Sequence, residues 1–208
     1  TDPLDVPVFE DIEWTFDADT QGWTEWGEGR DNEVSWSDGK LVVAYVDEGA
    51  SATNLNGPGI ITTVDPAFDA DSYPYLYIEY TTVNWPTTEL STSNVAYDNG
   101  SGTGWGQFEF DPNASSVCID IQAAHEVVGW GSAYDGMTGV NYLELEIPWW
   151  DDETASPDTA WFEAGAELHI DSIRLSSTPC GGVDTDGDGL LDSVETNTGT
   201  YLSPEDTG

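Results

Sequence analysis

A run of acidic residues near the end of the chain has the spacing of a calcium-binding loop. From Asp184 the sequence reads D-T-D-G-D-G-L-L-D-S-V-E, with acidic residues at loop positions 1, 3, 5, 9 and 12 and glycine at position 6. Calcium prefers oxygen ligands, and alternate residues of a tight loop direct their carboxylates to one point. The pattern predicts a bound Ca²⁺ ion. Its candidate ligands are the side chains of Asp184, Asp186, Asp188, Asp192 and Glu195 and the main-chain carbonyl of Leu190.

The residues around this loop distinguish it from an EF-hand. The preceding segment, STPCGG, cannot form the incoming helix, whereas Leu190, Leu191 and Val194 have helical spacing and predict a short helix after the loop. Over about residues 183–208 the chain resembles the thrombospondin type 3-like and dockerin-like calcium repeats of extracellular proteins, in which the loop follows a coil. The resemblance implies that the calcium is structural.

The two ends of the chain read as parts of one continuous motif. In large bacterial and archaeal surface proteins, such repeats commonly run on as TNTGTY…DTGTDPL; this chain ends TNTGTYLSPEDTG and begins TDPLDVP. The resemblance implies a unit joined head to tail with another copy, either in one polypeptide or as subunits of a filament. The alternative is a boundary that falls there by chance. The candidate junction ligands are Asp2, Asp5, Glu205 and Asp206.

The charge of the chain is strongly one-sided. Its 208 residues include 41 acidic side chains and three basic ones, which gives a net charge of -38. Such a chain repels phosphates and anionic lipids, so the charge excludes nucleic acid as a partner. The sequence has no run of about 20 apolar residues, so we expect no membrane insertion. With 38% hydrophobic and 12% aromatic residues, the chain can still bury a substantial core.

Several segments alternate between apolar and polar residues, which is typical of β-strands with one buried face. In YLELEIP, Leu143, Leu145 and Ile147 are expected to face the core, and Glu144 and Glu146 are expected to face outward to water. The same alternation in KLVVAYV and YLYIEYT places on one side Leu41, Val43 and Tyr45, and Leu76, Ile78 and Tyr80. About ten short strands separated by turn signals predict an all-β fold, a jelly-roll-like two-sheet antiparallel β-sandwich.

These patterns divide the chain into three parts. We expect the β-sandwich in residues 1–177, a linker in residues 178–183 and the calcium-binding repeat in residues 184–208.

Two of the predicted strands are less regular than the others. SVCIDIQAAHEVVGW could form a helix, but its β-branched residues favour a strand. In ELHIDSIRL the apolar residues change sides, so a β-bulge near Asp171 is needed to bury all of them.

The two ends of the sandwich resemble a known class of module. The segments EWTFDADTQGWTEW and AELHIDSIRLSS resemble the jelly-roll modules grouped with carbohydrate-binding modules, as a loose pattern over most of residues 8–177. Such modules often carry a structural calcium ion near their joined first and last strands. The resemblance implies a second candidate metal site at Asp17, Asp171 and Glu13; alternatively, these carboxylates simply face water.

Ten tryptophans provide candidates for a ligand-binding or interface surface. Trp105 and Trp130 lie in glycine-rich segments, and Trp149 and Trp150 lie beside a polar loop. Most others, including Trp14, Trp23 and Trp36, are expected in the core or in a subunit contact. A row of rings in one groove would favour a sugar ligand, whereas a patch covered by a neighbouring copy would favour assembly.

The remaining chemistry-bearing residues are few. Cys118 and Cys180 form a candidate disulfide of an oxidising compartment; two free thiols are the alternative. His125 and His169 are the only histidines, and the chain has neither a G-x-S-x-G elbow nor a phosphate-binding loop. We therefore expect no catalytic residues and no enzyme activity.

Together these features predict a secreted, extracellular, cell-surface-associated module with a structural or adhesive function. The expected molecule is non-catalytic, stabilised by calcium, and a head-to-tail repeating unit of a filament or surface protein. Its expected partners are further copies of itself or a larger surface polypeptide. The alternative is a carbohydrate-binding module of a secreted polysaccharide-degrading system, with a carbohydrate as the partner.

Overall fold

The computed structural model of the chain describes residues 9–26, 32–46, 59–148 and 164–181. In these residues, two antiparallel β-sheets pack face to face around one hydrophobic core. This is the β-sandwich that the sequence predicts. The described strands are β1 (Ile12–Trp14), β2 (Thr24–Glu25), β3 (Asn32–Ser37), β4 (Lys40–Tyr45), β5 (Gly59–Phe68), β6 (Tyr75–Val83), β7 (Ser91–Asp98), β8 (Thr103–Phe110), β9 (Ser116–Asp120), β10 (Val140–Glu146) and β11 (Glu167–Ser176). A 3₁₀ turn (Ala70–Ser72) and one α-helix, α1 (Ile121–Val128), complete the described elements.

The two sheets differ in their strand order. The six-stranded sheet has the order β3-β4-β11-β6-β9, and β1 pairs with β11 beyond the end of β4. The five-stranded sheet has the order β2-β5-β10-β7-β8. Strands that are adjacent in one sheet are thus often distant in sequence. Residues far apart along the chain therefore meet on one face.

The side chains that alternation predicts to face inward do lie in the hydrophobic core, which confirms this prediction. Burial raises the pKa of Tyr80 to about 12, and it raises the pKa of Tyr97 well above its usual value. Both hydroxyls are therefore neutral at physiological pH. The predicted side chains that lie in the core are Leu41, Val43, Tyr45, Leu76, Ile78, Tyr80, Leu143, Leu145 and Ile147.

The β-bulge predicted in the last strand is also confirmed. The register between β11 and β6 shifts between Ile170 and Ser172. The shift buries the apolar residues on both sides of it. Asp171 stays on the outer side at this point, where its carboxylate accepts a hydrogen bond from Lys40 Nζ at 2.5 Å. The four apolar side chains buried around the bulge are Leu168, Ile170, Ile173 and Leu175.

The expectation that residues 116–130 form one strand is wrong in its second half, where α1 follows β9. Asp120 caps the helix, since its carboxylate accepts a hydrogen bond from the Ala123 amide at 3.0 Å. Gly129 ends the helix in a left-handed conformation, and its amide donates to the His125 carbonyl at 2.7 Å. These caps outweigh the β-propensity of the valines.

Among the described residues, none of the helices has the length and apolar character that a membrane span requires.

Helix α1 packs closely on β8 at a glycine. A Cβ atom added at Gly106 would lie 2.9 Å from Ala124 Cβ and 3.1 Å from the main-chain nitrogen of His125. The His125 Nδ1 also donates to the Trp105 carbonyl at 2.8 Å, which fixes the helix to this strand. Gly106 therefore permits the close contact between helix and strand.

We expect Gly106→Val to lower the free energy of unfolding by about 2 kcal/mol, because the added side chain overlaps α1. Valine favours strands intrinsically, so without this contact the same change would be neutral or stabilising. Urea-induced unfolding measures the difference. If the urea concentration at the midpoint of unfolding were equal to or higher than that of the original protein, the helix would not pack on this strand.

A disulfide fastens the end of β11 to the edge of its sheet. Cys118 in β9 is bonded to Cys180, with their Cα atoms 5.6 Å apart. Tyr77 of β6 pairs with Cys118 in the sheet. Its hydroxyl donates to the Pro179 carbonyl at 2.6 Å, and its ring lies under the Arg174 guanidinium, 4.3 Å from its carbon. The segment after β11 is therefore held across β6 to β9.

Candidate functional site

The outer face of the five-stranded sheet carries three rows of side chains that cross from strand to strand. They alternate with the core residues of β5, β10, β7 and β8, so they point away from the core. The rows are Thr63-Tyr142-Asp98-Thr103, Ile61-Glu144-Ala96-Trp105 and Gly59-Glu146-Asn94-Gln107.

Residues of the first two rows form the floor of a groove of about 340 Å³. Trp26 follows β2 at one edge of the sheet, and Trp105 lies in β8 at the other edge. Four strand spacings separate these edges, which is about 19 Å. The small side chain of Ala96 leaves the floor open between them. The residues that line the groove are Trp26, Ile61, Ala96, Asp98, Thr103, Trp105, Tyr142 and Glu144.

The expectation that Glu144 and Glu146 face open water is wrong. Their side chains do lie opposite the core, but only 6% of Glu144 and 2% of Glu146 is exposed. Gly59 contributes to this burial because it lacks a side chain: an added Cβ there would lie 3.4 Å from Trp26 Cβ and 3.5 Å from Glu146 Cγ. The outer face of the sheet therefore has a buried, acidic floor.

Hydrogen-bond acceptors dominate this outer face. Glu146 Oε2 accepts a hydrogen bond from Asn94 Nδ2 at 2.9 Å. Asn94 is itself 2% exposed, and its Oδ1 atom is buried without a hydrogen-bond partner among the described residues. Asp98 accepts from the Gly100 amide at 2.5 Å and from the Thr103 hydroxyl. The groove thus joins aromatic walls to acceptor oxygens, which is an arrangement suited to an uncharged ligand with hydroxyl donors.

The structure places the candidate aromatic residues differently from the sequence analysis. Trp105 lies in strand β8 rather than in a loop, and it lines the groove. Trp130 is 48% exposed, and its carbonyl accepts from the Trp105 amide at 3.4 Å. Trp36 is not a core residue: it lies in β3 of the other sheet and is 41% exposed. Trp14 and Trp23 are in the core, as expected.

The structure does not bring the residues of the predicted second metal site together in one cluster. Asp171 is paired with Lys40, and the Asp17 carboxylate accepts from the Thr15 hydroxyl at 2.7 Å. Glu13 lies in β1 and shares a separate outer cleft with Arg174. In the part of the chain that the structure describes, no group of three or more histidine, cysteine, aspartate or glutamate side chains could hold a metal ion. Lys40 and the Thr15 hydroxyl take up two of the three predicted carboxylates instead.

Several predicted site residues lie outside the described residues. They comprise the calcium loop, the candidate junction and two of the candidate aromatic residues. The corresponding predictions stand as made in the sequence analysis. The residues are Asp184, Asp186, Asp188, Leu190, Asp192 and Glu195, then Asp2, Asp5, Glu205 and Asp206, then Trp149 and Trp150.

Most residues of the groove were not predicted from the sequence. Tyr142 and Glu144 were within reach, because the alternation of YLELEIP places them on one face. Asn94, Ala96 and Asp98 have the same period of two in SNVAYD. The missing information was the strand order, since only the pairing of β10 with β5 and β7 brings the two sets together.

The chain was also compared with known proteins. No protein-family model matches it, and no curated protein matches its sequence. Among solved structures, it is similar to CBM86, a low affinity xylan binding module from Roseburia intestinalis, with 9% identity, a TM-score of 0.43 and coverage of 81% of this chain and 96% of that chain. It is also similar to a carbohydrate binding module of family 29 (10% identity, TM-score 0.43, coverage 81% and 90%). A third similar structure is an agarase (9% identity, TM-score 0.48, coverage 79% and 23%).

Proposed function

We propose that the protein is a non-catalytic module that binds a polysaccharide in the groove on the outer face of the five-stranded sheet. The observation that carries this proposal is the position of Trp26 and Trp105 at the two edges of one groove whose floor is acidic and buried. Sugar rings have apolar C–H faces and polar rims. Aromatic side chains can stack on the faces while carboxylates accept hydrogen bonds from the hydroxyls.

The floor argues against the alternative that these rings form a contact between protein copies. The cores of protein–protein interfaces are depleted in charged residues. Here Glu144 and Asp98 both line the groove. A second copy of a chain with a net charge of -38 would bring further negative charge to this surface. A neutral glycan meets no such repulsion.

Binding to immobilised polysaccharides tests the proposal directly. In native gels that contain one polysaccharide each, we expect at least one glycan of a panel to retard the protein. The panel includes β-glucan, mannan, xylan, galactan, agarose, polygalacturonate, alginate and carrageenan. If none of them retards the protein, the proposed function is wrong. The release of reducing ends during incubation would overturn the non-catalytic part of the proposal.

The disulfide supports a location outside the cytosol. The bond between Cys118 and Cys180 is of a kind that persists in oxidising compartments, where polysaccharide-binding proteins meet their ligands. We propose that the protein is secreted. Attachment to a cell surface and head-to-tail assembly would use the ends of the chain. Both are therefore compatible with glycan binding in the groove. Electron microscopy with and without a chelator tests assembly, and monodisperse particles in both conditions would reject it.

The acidic loop at residues 184–195 is a second proposed site, for structural calcium. Its twelve-residue pattern is the observation that favours it. Clustered carboxylates repel one another until a cation neutralises them.

We expect calcium to slow proteolysis of residues 182–208 and Asp186→Ala with Asp188→Ala to abolish this protection. The double variant should leave the sandwich folded, because both substitutions follow the last described strand in sequence. Limited proteolysis followed by mass spectrometry measures the effect, and Glu33→Ala in β3 provides a control in the sandwich. Identical cleavage patterns with calcium and with chelator would contradict the calcium site.

A further inference from the structure

We infer that Asp98 selects glycans whose sugar units carry two free hydroxyls on neighbouring ring carbons, an inference that rests on the proposed function. Asp98 lines the groove at the end of β7, directly opposite Tyr142 of β10 on one side and Thr103 of β8 on the other. Trp105 lies two residues after Thr103 and lines the same groove. A carboxylate therefore lies diagonally across from an indole, at a spacing that one sugar ring can bridge.

The protein fixes the orientation of this carboxylate through one hydrogen bond to each oxygen. Asp98 Oδ1 accepts from the Gly100 amide at 2.5 Å, and Asp98 Oδ2 accepts from the Thr103 hydroxyl. The Gly100 amide can turn toward Asp98 because Gly100 adopts a φ of +75°, which residues with a side chain rarely adopt. The carboxylate is therefore held in one orientation before a ligand arrives, which reduces the entropy cost of binding.

Each oxygen of Asp98 keeps acceptor capacity for a ligand. An ionised carboxylate has about four lone-pair sites, and the two contacts above use one on each oxygen. Two hydroxyls on neighbouring ring carbons can each donate to one oxygen, in the two-pronged manner of a guanidinium. Hydroxyls on carbons that are not neighbours lie too far apart to do this. The fixed carboxylate therefore recognises a neighbouring hydroxyl pair.

Trp105 determines how the sugar lies against Asp98. A sugar whose C–H face stacks on the indole directs its equatorial hydroxyls outward from the rim of the ring. Chains of 1,4-linked glucose, xylose or galactose keep the hydroxyls at carbons 2 and 3 free and equatorial. Chains with 1,3-linkages use the hydroxyl at carbon 3, so no neighbouring pair remains along them. Stacking on Trp105 and pairing with Asp98 therefore favour 1,4-linked glycans.

Polysaccharides that differ only in linkage test this selection. β-1,4-Xylan and β-1,3-xylan contain the same sugar, as do β-1,4-galactan and β-1,3-galactan. Long polymers are needed because the terminal sugar of either chain carries a neighbouring hydroxyl pair. In native affinity gels we expect that, within any pair of which a member binds, the 1,4-linked polymer binds about tenfold more tightly or better, since hydrogen bonds to a charged acceptor contribute this much.

The variant Asp98→Asn tests the role of the carboxylate, since it replaces one acceptor oxygen with an NH₂ donor. We expect it to weaken binding of the tightest panel member about tenfold and to bring the ratio of 1,4-linked to 1,3-linked affinity towards one. Asp111→Asn is the matched control. Asp111 follows the other end of β8 and accepts from the amide two residues on, that of Asn113 at 2.8 Å, but it is not among the residues that line the groove. Asp111→Asn should leave affinity and ratio unchanged.

The variant Thr103→Val tests the positioning of the carboxylate without changing its charge. It removes the hydroxyl that holds Asp98 Oδ2 and keeps the branched shape of the side chain. We expect the linkage ratio to fall several-fold, whereas Thr103→Ser, which keeps the hydroxyl, should retain the original ratio. Urea-induced unfolding shows whether each variant is folded under the conditions of the binding measurement.

The outcomes distinguish this inference from the proposed function. If no member of the polysaccharide panel binds, the proposed function fails and the inference fails with it. If the tightest panel member lacks neighbouring free hydroxyls, as agarose does, or if 1,3-linked polymers bind as tightly as 1,4-linked ones, only the inference is overturned. It is also overturned if folded Asp98→Asn keeps the original affinity, or if it weakens binding of both linkages equally, because Asp98 would then act only by shaping the turn.

Discussion

Replacing Trp105 with alanine is expected to weaken glycan binding by about 30-fold or more while the protein stays folded. The side chain lines the groove at the β8 edge and is only partly buried, so its removal costs little core packing. Truncating an aromatic anchor of a binding site costs about 2 kcal/mol or more, which corresponds to this change in Kd. Adding Trp26→Ala removes the second anchor and should bring binding below detection. Calorimetry with the panel member that binds most tightly measures both effects.

The chain offers a matched control for this experiment. Trp36 lies in β3 of the other sheet, is 41% exposed and donates through its indole nitrogen to the Phe16 carbonyl at 2.5 Å. Trp36→Ala therefore removes an exposed tryptophan without touching the groove, and glycan affinity should stay the same. If Trp36→Ala weakened binding and Trp105→Ala did not, the glycan would bind on the six-stranded sheet and the assigned groove would be wrong.

Removing the disulfide is expected to lower the free energy of unfolding by about 4 kcal/mol on the chain-entropy model, which attributes the effect to a less restricted unfolded chain. Cys118 and Cys180 are separated by 62 positions in sequence, so the closed loop is long. In the folded state the bond holds the end of β11 to β9, an edge strand of its sheet. The double variant Cys118→Ser and Cys180→Ser avoids leaving a single reactive thiol. Urea-induced unfolding measures the loss.

This variant should separate stability from binding. Both cysteines belong to the six-stranded sheet side of the sandwich, and the groove lies on the other sheet. Below the unfolding transition, glycan affinity should therefore equal that of the original protein. A midpoint that does not change after the double substitution would mean that the bond contributes no stability. A large loss of affinity in the folded variant would mean that the groove depends on β9.

Those parts of the fold that depend on a pattern of consecutive residues could be predicted from the sequence. Alternation in KLVVAYV, YLYIEYT and YLELEIP was enough to place three core strands, because successive side chains of a strand point to opposite faces. The break in alternation around Asp171 likewise required the observed bulge, since no regular strand could bury both Ile170 and Ile173. These features depend only on a few consecutive residues.

Helix α1 shows where local propensity was misleading. Val127 and Val128 favour a strand, but Asp120 and Gly129 provide both caps, and the alanines between them suit a helix. The caps were visible in the sequence as an aspartate and a glycine at the two ends of IQAAHEVV. Weighing them above β-propensity would have given the observed helix.

The groove could not be derived in the same way, because it depends on strand order. Trp26 and Trp105 are far apart in sequence and occupy opposite edges of one sheet. Alternation placed Glu144 on the outer face correctly, but it could not show that Trp26 and its neighbours enclose that face. Burial of an outward carboxylate is a tertiary effect, and the pairing of β10 between β5 and β7 determines it.

The most direct test of a glycan site on the five-stranded sheet is an NMR titration with the neutral oligosaccharide of the tightest panel member. We expect the indole N–H signals of Trp26 and Trp105 to shift together with the amides of β5, β7, β8 and β10, while the signals of Trp36 and of the amides of β3 and β4 stay unchanged. Shifts confined to the six-stranded sheet, or saturable binding that leaves both groove indoles unchanged, would contradict this expectation.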